Sequence, residues 1–381
     1  MNSSNNKKVV HITTVHQPFD TRIYHKQCKT LAENGFDVTL IASYHEDIEK
    51  VSEKSQIKLI TVPKAKNRLQ RMTKTVMDTY KQAKRLNAQI YHIHDPELIP
   101  VGLLLKKKDN IVIYDVHEDY ITSIRQKKYL KYPVVRAIAA AVFGFIETFF
   151  TKNFKIVLAE KYYKERFAEG TWVLNYPIIN EPGEKDIKKA AIGSNSLIYT
   201  GGVTEDRGAF IHAKIPSLID NMRVTYVGLC SEEVADKIYS IAEDKKACIE
   251  IEGIGRYIPR EEIDRRYREG HWLAGLAIFP TTEHYKRKEL TKFFEYMYVG
   301  LPIICSNFPV WQELINKYKC GVTVDPCEEK EIRSAIIYLR DNPDIAHEMG
   351  QNGKDAVLKE LNWESEGKKL VELYKELIAR I

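Results

Sequence analysis

Residues 89–119, QIYHIHDPELIPVGLLLKKKDNIVIYDVHED, set two short β-branched runs around an apolar, helix-like segment. The runs IYHI and IVIYDV are nearly continuous in apolar character rather than alternating. That is how a strand reads when a parallel sheet is covered by helices on both faces. Each run ends in a polar cluster, HDPE and HED. Such clusters mark the carboxyl ends of strands, where open parallel sheets bind their ligands. The Asp-Pro pair also serves as a helix start.

The same rhythm extends in both directions. KVVHITT precedes a helical pattern that Gly35 stops, and FDVTLIA, IKLITV and KIVLA are further apolar runs. Residues 175–196, NYPIINEPGEKDIKKAAIGSNS, are rich in Pro, Gly and charge and read as a linker. The alternation then restarts with SLIYTGG, MRVTYVG, ACIEIEG, LAGLAIFP, LPIICS and CGVTVD. The reading is α/β: two tandem, Rossmann-like, doubly wound domains facing an interdomain cleft. Residues 1–177 form the first domain and residues 178–361 the second, with an amphipathic helix over 362–381 expected to pack back on the first.

A length of 381 residues suits two domains. The net charge of +6 is uneven: residues 1–180 carry +11 and residues 181–381 carry −5. A basic first half implies an anionic partner, and residues 64–86 concentrate the effect, with eight Lys and Arg against Asp78. Lys106, Lys107, Lys108, Arg125, Lys127, Lys128 and Lys131 continue it. Leu69, Met72, Val76 and Tyr80 recur at near-helical spacing, so a helix on an anionic lipid surface is expected as readily as one packed on its own sheet. Nucleic acid is disfavoured, because no recognition motif or aromatic interleaving accompanies the charge. The apolar run at 137–146 is far short of the ~20 residues that span a bilayer, and VVRAIAAAVFGFIETFF reads as a buried helix. Six scattered cysteines without CxxC spacing, and a polar start running straight into a strand, imply a reducing cytoplasm, no signal peptide and no zinc site.

The strand-end loops carry the candidate chemistry. TVHQPFDTRIYHK contains Arg22, HIHDPE contains His94, Asp95 and Glu97, and YDVHED contains His117. YTGGVTEDRGAF contains Gly201, Gly202 and Arg207, and TKFFEYMYVGLPIICS opens with Lys292 and Glu295.

These pieces, with GRYIPREEI and CGVTVDP, resemble in order the family 4 glycosyltransferases of GT-B fold, most of all the bacterial branch that builds surface polysaccharides. The resemblance runs from about residue 9 to residue 326. It implies a glycosyltransferase moving a sugar, with retention, from a nucleotide diphosphate, commonly UDP, to a lipid-linked or glycan acceptor. Breaking that bond leaves negative charge on the diphosphate, which a site must meet with preorganised donors. The glycines of TGGVTEDRG allow close backbone approach, a helix N-terminus and Arg207 would face the phosphates, and Lys292 would add a second cation. The resemblance further implies that Glu295 holds the ribose and that His117, as the catalytic residue, orients the sugar or contacts the anomeric region. Gly255, Arg256 and Tyr257 would carry the base, and Arg22, His94, Asp95 and Glu97 would line the acceptor side.

Two positions depart from the family. Gly202, followed by Val203, stands where an Arg is common, and Arg287 stands where the first of two glutamates is common. Glu283 or Glu289 could replace that carboxylate, and Lys286, Arg287 or Lys288 the cation. No DxD occurs, so no metal or other cofactor is expected beyond the nucleotide-sugar cosubstrate. The enzyme is expected in the cytoplasm, peripheral at the inner membrane face. The competing reading is a catalytically degenerate GT-B subunit acting as a partner- or glycan-binding scaffold.

Overall fold

The computed structural model describes residues 7–44, 56–126, 132–179 and 194–381. Lys127, Lys128, Lys131 and most of the 175–196 linker lie outside them. The chain forms two compact units, Met1–Ile178 with Trp363–Ile381, and Ile179–Asn362.

In the first unit seven parallel strands are β1 (Lys8–Ile12), β2 (Asp37–Tyr44), β3 (Lys58–Pro63), β4 (Ile90–Ile93), β5 (Ile111–Val116), β6 (Lys155–Leu158) and β7 (Thr171–Trp172). Their order is β3-β2-β1-β4-β5-β6-β7. Alternate residues feed two separate cores. Val9, Val38, Leu40 and Ile90 enter one, and Val10, Ile41, Tyr91 and Ile93 enter the other. With both faces buried, the strands are apolar at most positions, which is why the runs do not alternate, and the buried exceptions His11, His92 and Asp115 are hydrogen-bonded. Strand order reverses between β1 and β4, so the loops after these two strands meet at the switch point.

The final helix, Trp363–Ile378, completes the first core with Leu370, Val371, Tyr374 and Leu377. Its polar contacts fix the docking. Leu174 N donates to Glu366 at 2.8 Å, Trp363 N to Pro177 O at 2.7 Å, and Tyr374 OH lies 2.6 Å from His92 Nδ1.

The second unit holds β8 (Ser196–Thr200), β9 (Arg223–Cys230), β10 (Ile249–Ile254), β11 (Ala274–Ala277), β12 (Ile303–Ser306) and β13 (Gly321–Val324), ordered β10-β9-β8-β11-β12-β13. Its switch point lies between β8 and β11. The Thr291–Tyr298 helix seats Tyr296 flat against Gly275 of β11, where a Cβ would fall 2.4 Å from the ring.

One expectation fails. The Pro133–Thr151 helix is not a core helix: of its residues only Ala140, Glu147 and Thr151 are buried, while Phe145 is 68% and Phe149 60% exposed. Hydrophobicity alone does not say which side of a helix faces in, and here the inward side carries the carboxylate. The basic 64–86 segment divides. Val76 and Tyr80 pack on the sheet, whereas Leu69 and Met72 are exposed.

Deleting buried methylenes from the final helix should unsettle the whole first unit. Leu370→Ala is expected to cost about 2–5 kcal/mol in urea-induced unfolding. A loss below about 1 kcal/mol would mean that the helix is not part of that core.

Candidate functional site

In the first unit, Asp95 at the end of β4 organises the loop after β1. Its Oδ2 accepts from Thr13 Oγ1 at 2.9 Å, Thr14 N at 2.6 Å and Val15 N at 3.2 Å. Glu97 is taken up by Arg71 (2.9 Å) and Thr14 Oγ1 (2.7 Å). Arg22, on a π-helical turn capped by Asp20, points inward. It clamps Asp115 through Nε (2.9 Å) and Nη2 (2.7 Å) and donates to Val173 O at 3.0 Å. His94 bridges His11 Nδ1 (2.9 Å) and Asp115 (3.2 Å), and burial holds its pKa down to about 3. Arg22, His94 and Asp95 are buried inside the unit and Glu97 is tied to Arg71, while Arg22 Nη1 and Asp95 Oδ1 have no hydrogen-bond partner among the described residues.

His117 is placed differently. Its Nδ1 lies 3.1 Å from Asp115 O and its Nε2 2.9 Å from His16 Nε2. A carbonyl can only accept, so Nδ1 carries the proton, Nε2 accepts, and His16 donates. The electrostatics agree. Burial lowers the His117 pKa, whereas for His16 the hydrogen bond to Asp20 and the charges of Asp95, Asp20 and Glu118 outweigh burial and raise it. The result is a His117 whose charged form is disfavoured beside a His16 whose charged form is favoured, the latter with a side chain that is 17% exposed. His16 stands in the quoted VHQPFDTR segment, but nothing in the spacing marks it.

Two histidine groups bring ligating atoms within 4.8 Å of one another, His11/His92/His94 and His94/Asp115/His117. The hydrogen bonds above already employ most of those atoms.

In the second unit, the loop after β8 turns at Gly201, whose φ is +97°. Gly228 passes so close that a Cβ would lie 2.0 Å from Gly201 O. Tyr199 OH donates to Gly202 O at 2.8 Å. Arg207 reaches back over Gly202, where a Cβ would be 3.1 Å from its Nη1, and its Nε donates to Tyr285 OH at 3.2 Å. Tyr285 OH donates in turn to Asp206 at 2.9 Å. The helix expected to present its N-terminus here is short, Ala209–Ala213, after a 3-10 turn at Glu205–Arg207, so its dipole is small.

Lys292 supplies what that dipole does not. Its ammonium sits 3.5 Å from the Tyr199 ring centroid and 5.0 Å from that of Phe279, buried and with no hydrogen-bond acceptor among the described residues. Burial, then the Arg207 charge, push its pKa well below the ordinary lysine value, against the pull of Glu295. Glu295 is held by Arg260 and by Tyr267 OH at 3.3 Å. Arg260 belongs to the quoted GRYIPREEI segment, but its pairing across 35 residues is invisible in sequence. Gly201, Gly202, Arg207, Lys292 and Glu295 thus share one neighbourhood. The loop with Gly255, Arg256 and Tyr257 is exposed, and Arg256 pairs with Glu262 at 3.0 Å. Glu283, considered as a replacement carboxylate, is 79% exposed and paired with Lys286.

Residues 212–356 match the family model of "Glycosyl transferases group 1". A search among curated proteins gave no match. Solved structures are similar over almost the whole chain. Sucrose-phosphate synthase from Thermosynechococcus elongatus is 15% identical, with 99% of this chain and 100% of that one covered and a TM-score of 0.72. A glycosyltransferase from Rickettsia africae is 15% identical, with coverage of 98% and 99% and a TM-score of 0.69. HepE of Anabaena, solved in complex with UDP, is 10% identical, with coverage of 97% and 100% and a TM-score of 0.67.

A cation buried without an acceptor destabilises the free protein, so Lys292→Met is expected to raise stability at neutral pH by about 1 kcal/mol or more. The sign with pH follows from linkage. The folded pKa lies below 10.5, the unfolded chain binds the proton more tightly, and stability rises with pH between the two values. Urea unfolding at several pH values should show this rise in the parent and its loss in the variant; identical slopes would contradict it. The chain has the GT-B fold of glycosyltransferases, and its second unit carries the glycosyl transferases group 1 segment.

Proposed function

We propose that the protein transfers a sugar from a nucleoside diphosphate, UDP in the first instance, to a lipid-linked or glycan acceptor in surface-polysaccharide synthesis, with retention at the anomeric carbon. The observation that carries this is Lys292, a buried ammonium lacking an acceptor, beside Arg207 and the Gly201–Gly202 turn. A diphosphate placed there would supply the missing acceptor, and the charge that develops as the sugar departs would strengthen the contact. Backbone N–H groups of the turn would approach the phosphates without Cβ obstruction. Glu295, set by Arg260, would take the ribose hydroxyls, and the exposed loop at Gly255, Arg256 and Tyr257 would take the base.

On the acceptor side, His117 would orient the sugar by exchanging its Nε2 contact with His16 for one to the ligand, and Asp115 O holds His117 in the tautomer that accepts at Nε2. Cationic side chains do the neutralising, so the reaction is expected to run without a metal. The enzyme works in the cytoplasm at the membrane face. HepE binding UDP on a similar fold supports the choice of nucleotide.

The second reading, a binding scaffold without turnover, draws on Gly202 and Arg287 at positions where the family has Arg and Glu. Calorimetric titration with UDP and assay of UDP release from UDP-sugars separate the two. Micromolar binding with turnover supports the enzyme, and binding without turnover supports the scaffold. Arg207→Ala and Lys292→Met should each weaken UDP binding by about 10–100-fold, the worth of a hydrogen bond to a charged group. Unchanged affinity in both variants would remove the diphosphate assignment.

A further inference from the structure

The Pro133–Thr151 helix is inside out. Surface helices of soluble domains turn apolar residues inward and charged ones outward. Here Glu147 faces in, accepting from Tyr114 OH at 2.7 Å and pairing with Arg166 at 2.6 Å. Val134, Ile138, Val142, Phe145 and Phe149 form an exposed stripe at spacings of four, four, three and four residues. No charged side chain interrupts the outer face. A contiguous apolar strip of this size on a monomer marks an interaction site.

By length and composition the helix could cross a membrane, but its connections forbid that. It leaves β5 through the Tyr120–Gln126 helix and returns to β6, and β5 and β6 pair side by side in one sheet. Both ends are tied to the same unit, and buried Glu147 holds the C-terminal third against it. The helix can lie in an interface but cannot traverse one.

Charge selects the partner. Beyond the C-terminal end stand Lys152 and Lys155, and Lys106 donates to Asn153 O there at 2.7 Å. Lys107 and Lys108 adjoin them against Asp109 alone, and Arg125 is exposed in the neighbouring helix. Two copies meeting through this face would bring like charges together. An anionic lipid surface would receive both the apolar stripe and its basic border.

We propose that this helix docks the first unit in the plane of an anionic bilayer, with Phe145 and Phe149 inserted among the acyl chains and the lysines at the headgroups. The proposal gives the sugar-transfer reading its membrane contact and moves that contact from the 64–86 segment to this helix.

The test is flotation of the full chain with vesicles of phosphatidylcholine, alone or mixed with phosphatidylglycerol, at low and high salt, with UDP titration and molar mass run in parallel. The expected result is binding to the mixed vesicles, weakened by salt. Phe145→Asp with Phe149→Asp should lower partition by about tenfold or more, since burying one such side chain is worth about that factor. Lys152→Glu with Lys155→Glu should abolish the preference for anionic lipid. UDP affinity and unfolding should be unchanged in both. Failure of the parent to float, or equal flotation of the phenylalanine variant, overturns the proposal. So does a parent dimer that the variant dissociates, which would assign the face to a second copy. Flotation without UDP binding would sink the sugar-transfer reading and leave this one standing.

Discussion

An ammonium group buried against a tyrosine ring with no anion to meet it is a cost that the fold carries in its free state. Cation–π attraction of about 0.5–2 kcal/mol offsets part of the desolvation, and the rest appears as a depressed pKa at Lys292. The surrounding architecture enforces that position. Tyr296 locks the Thr291–Tyr298 helix onto Gly275, Tyr199 is pinned through Gly202 O, and Arg207 is oriented by Tyr285. On the proposed reading the site is preorganised for an anion before one arrives, which is the arrangement that electrostatic catalysis of diphosphate departure requires.

The first unit solves a different problem with the same economy of parts. Its switch-point loops are built on carboxylates, Asp95 for the backbone after β1 and Asp115 for Arg22, Gln27 and His94. Burial opposes the charge on Asp115, but Arg22 and the hydrogen bonds from His94 and Arg22 overcome it and hold its carboxyl ionised. Beside that buried network lie His117 and His16, and the Asp115 carbonyl at His117 Nδ1 makes His16 the donor between the two rings. Tyr374 of the final helix bonds His92 and lies 3.3 Å from His11 of the same histidine row, so the chain's last element stabilises the sheet on which the rim is built.

Much of this was legible in the sequence. Continuous apolar runs ending in polar clusters announce parallel sheets and the strand ends where chemistry collects, and the grouping of Gly201, Gly202, Arg207, Lys292 and Glu295 could be expected from motif order. What could not be read is side-chain direction. Arg22 sits at a helix start in sequence, yet a π-helical turn rotates it onto Asp115. Glu295 is expected at the ribose from motif order, but that Arg260 of a distant helix holds it could not be read. The apolar 133–151 segment has the composition of a core helix, and only the inward placement of Glu147 reveals that the core lies on its polar side.

The central claim, that Lys292 is held ready for a diphosphate, is tested most directly by NMR titration of the Lys292 side chain, assigned through Lys292→Arg, in the free protein and with UDP bound. The account predicts a pKa well below that of an ordinary lysine in the free protein and a rise toward the ordinary value on saturation with UDP. An ordinary pKa in the free protein, or one that UDP does not move, would contradict it.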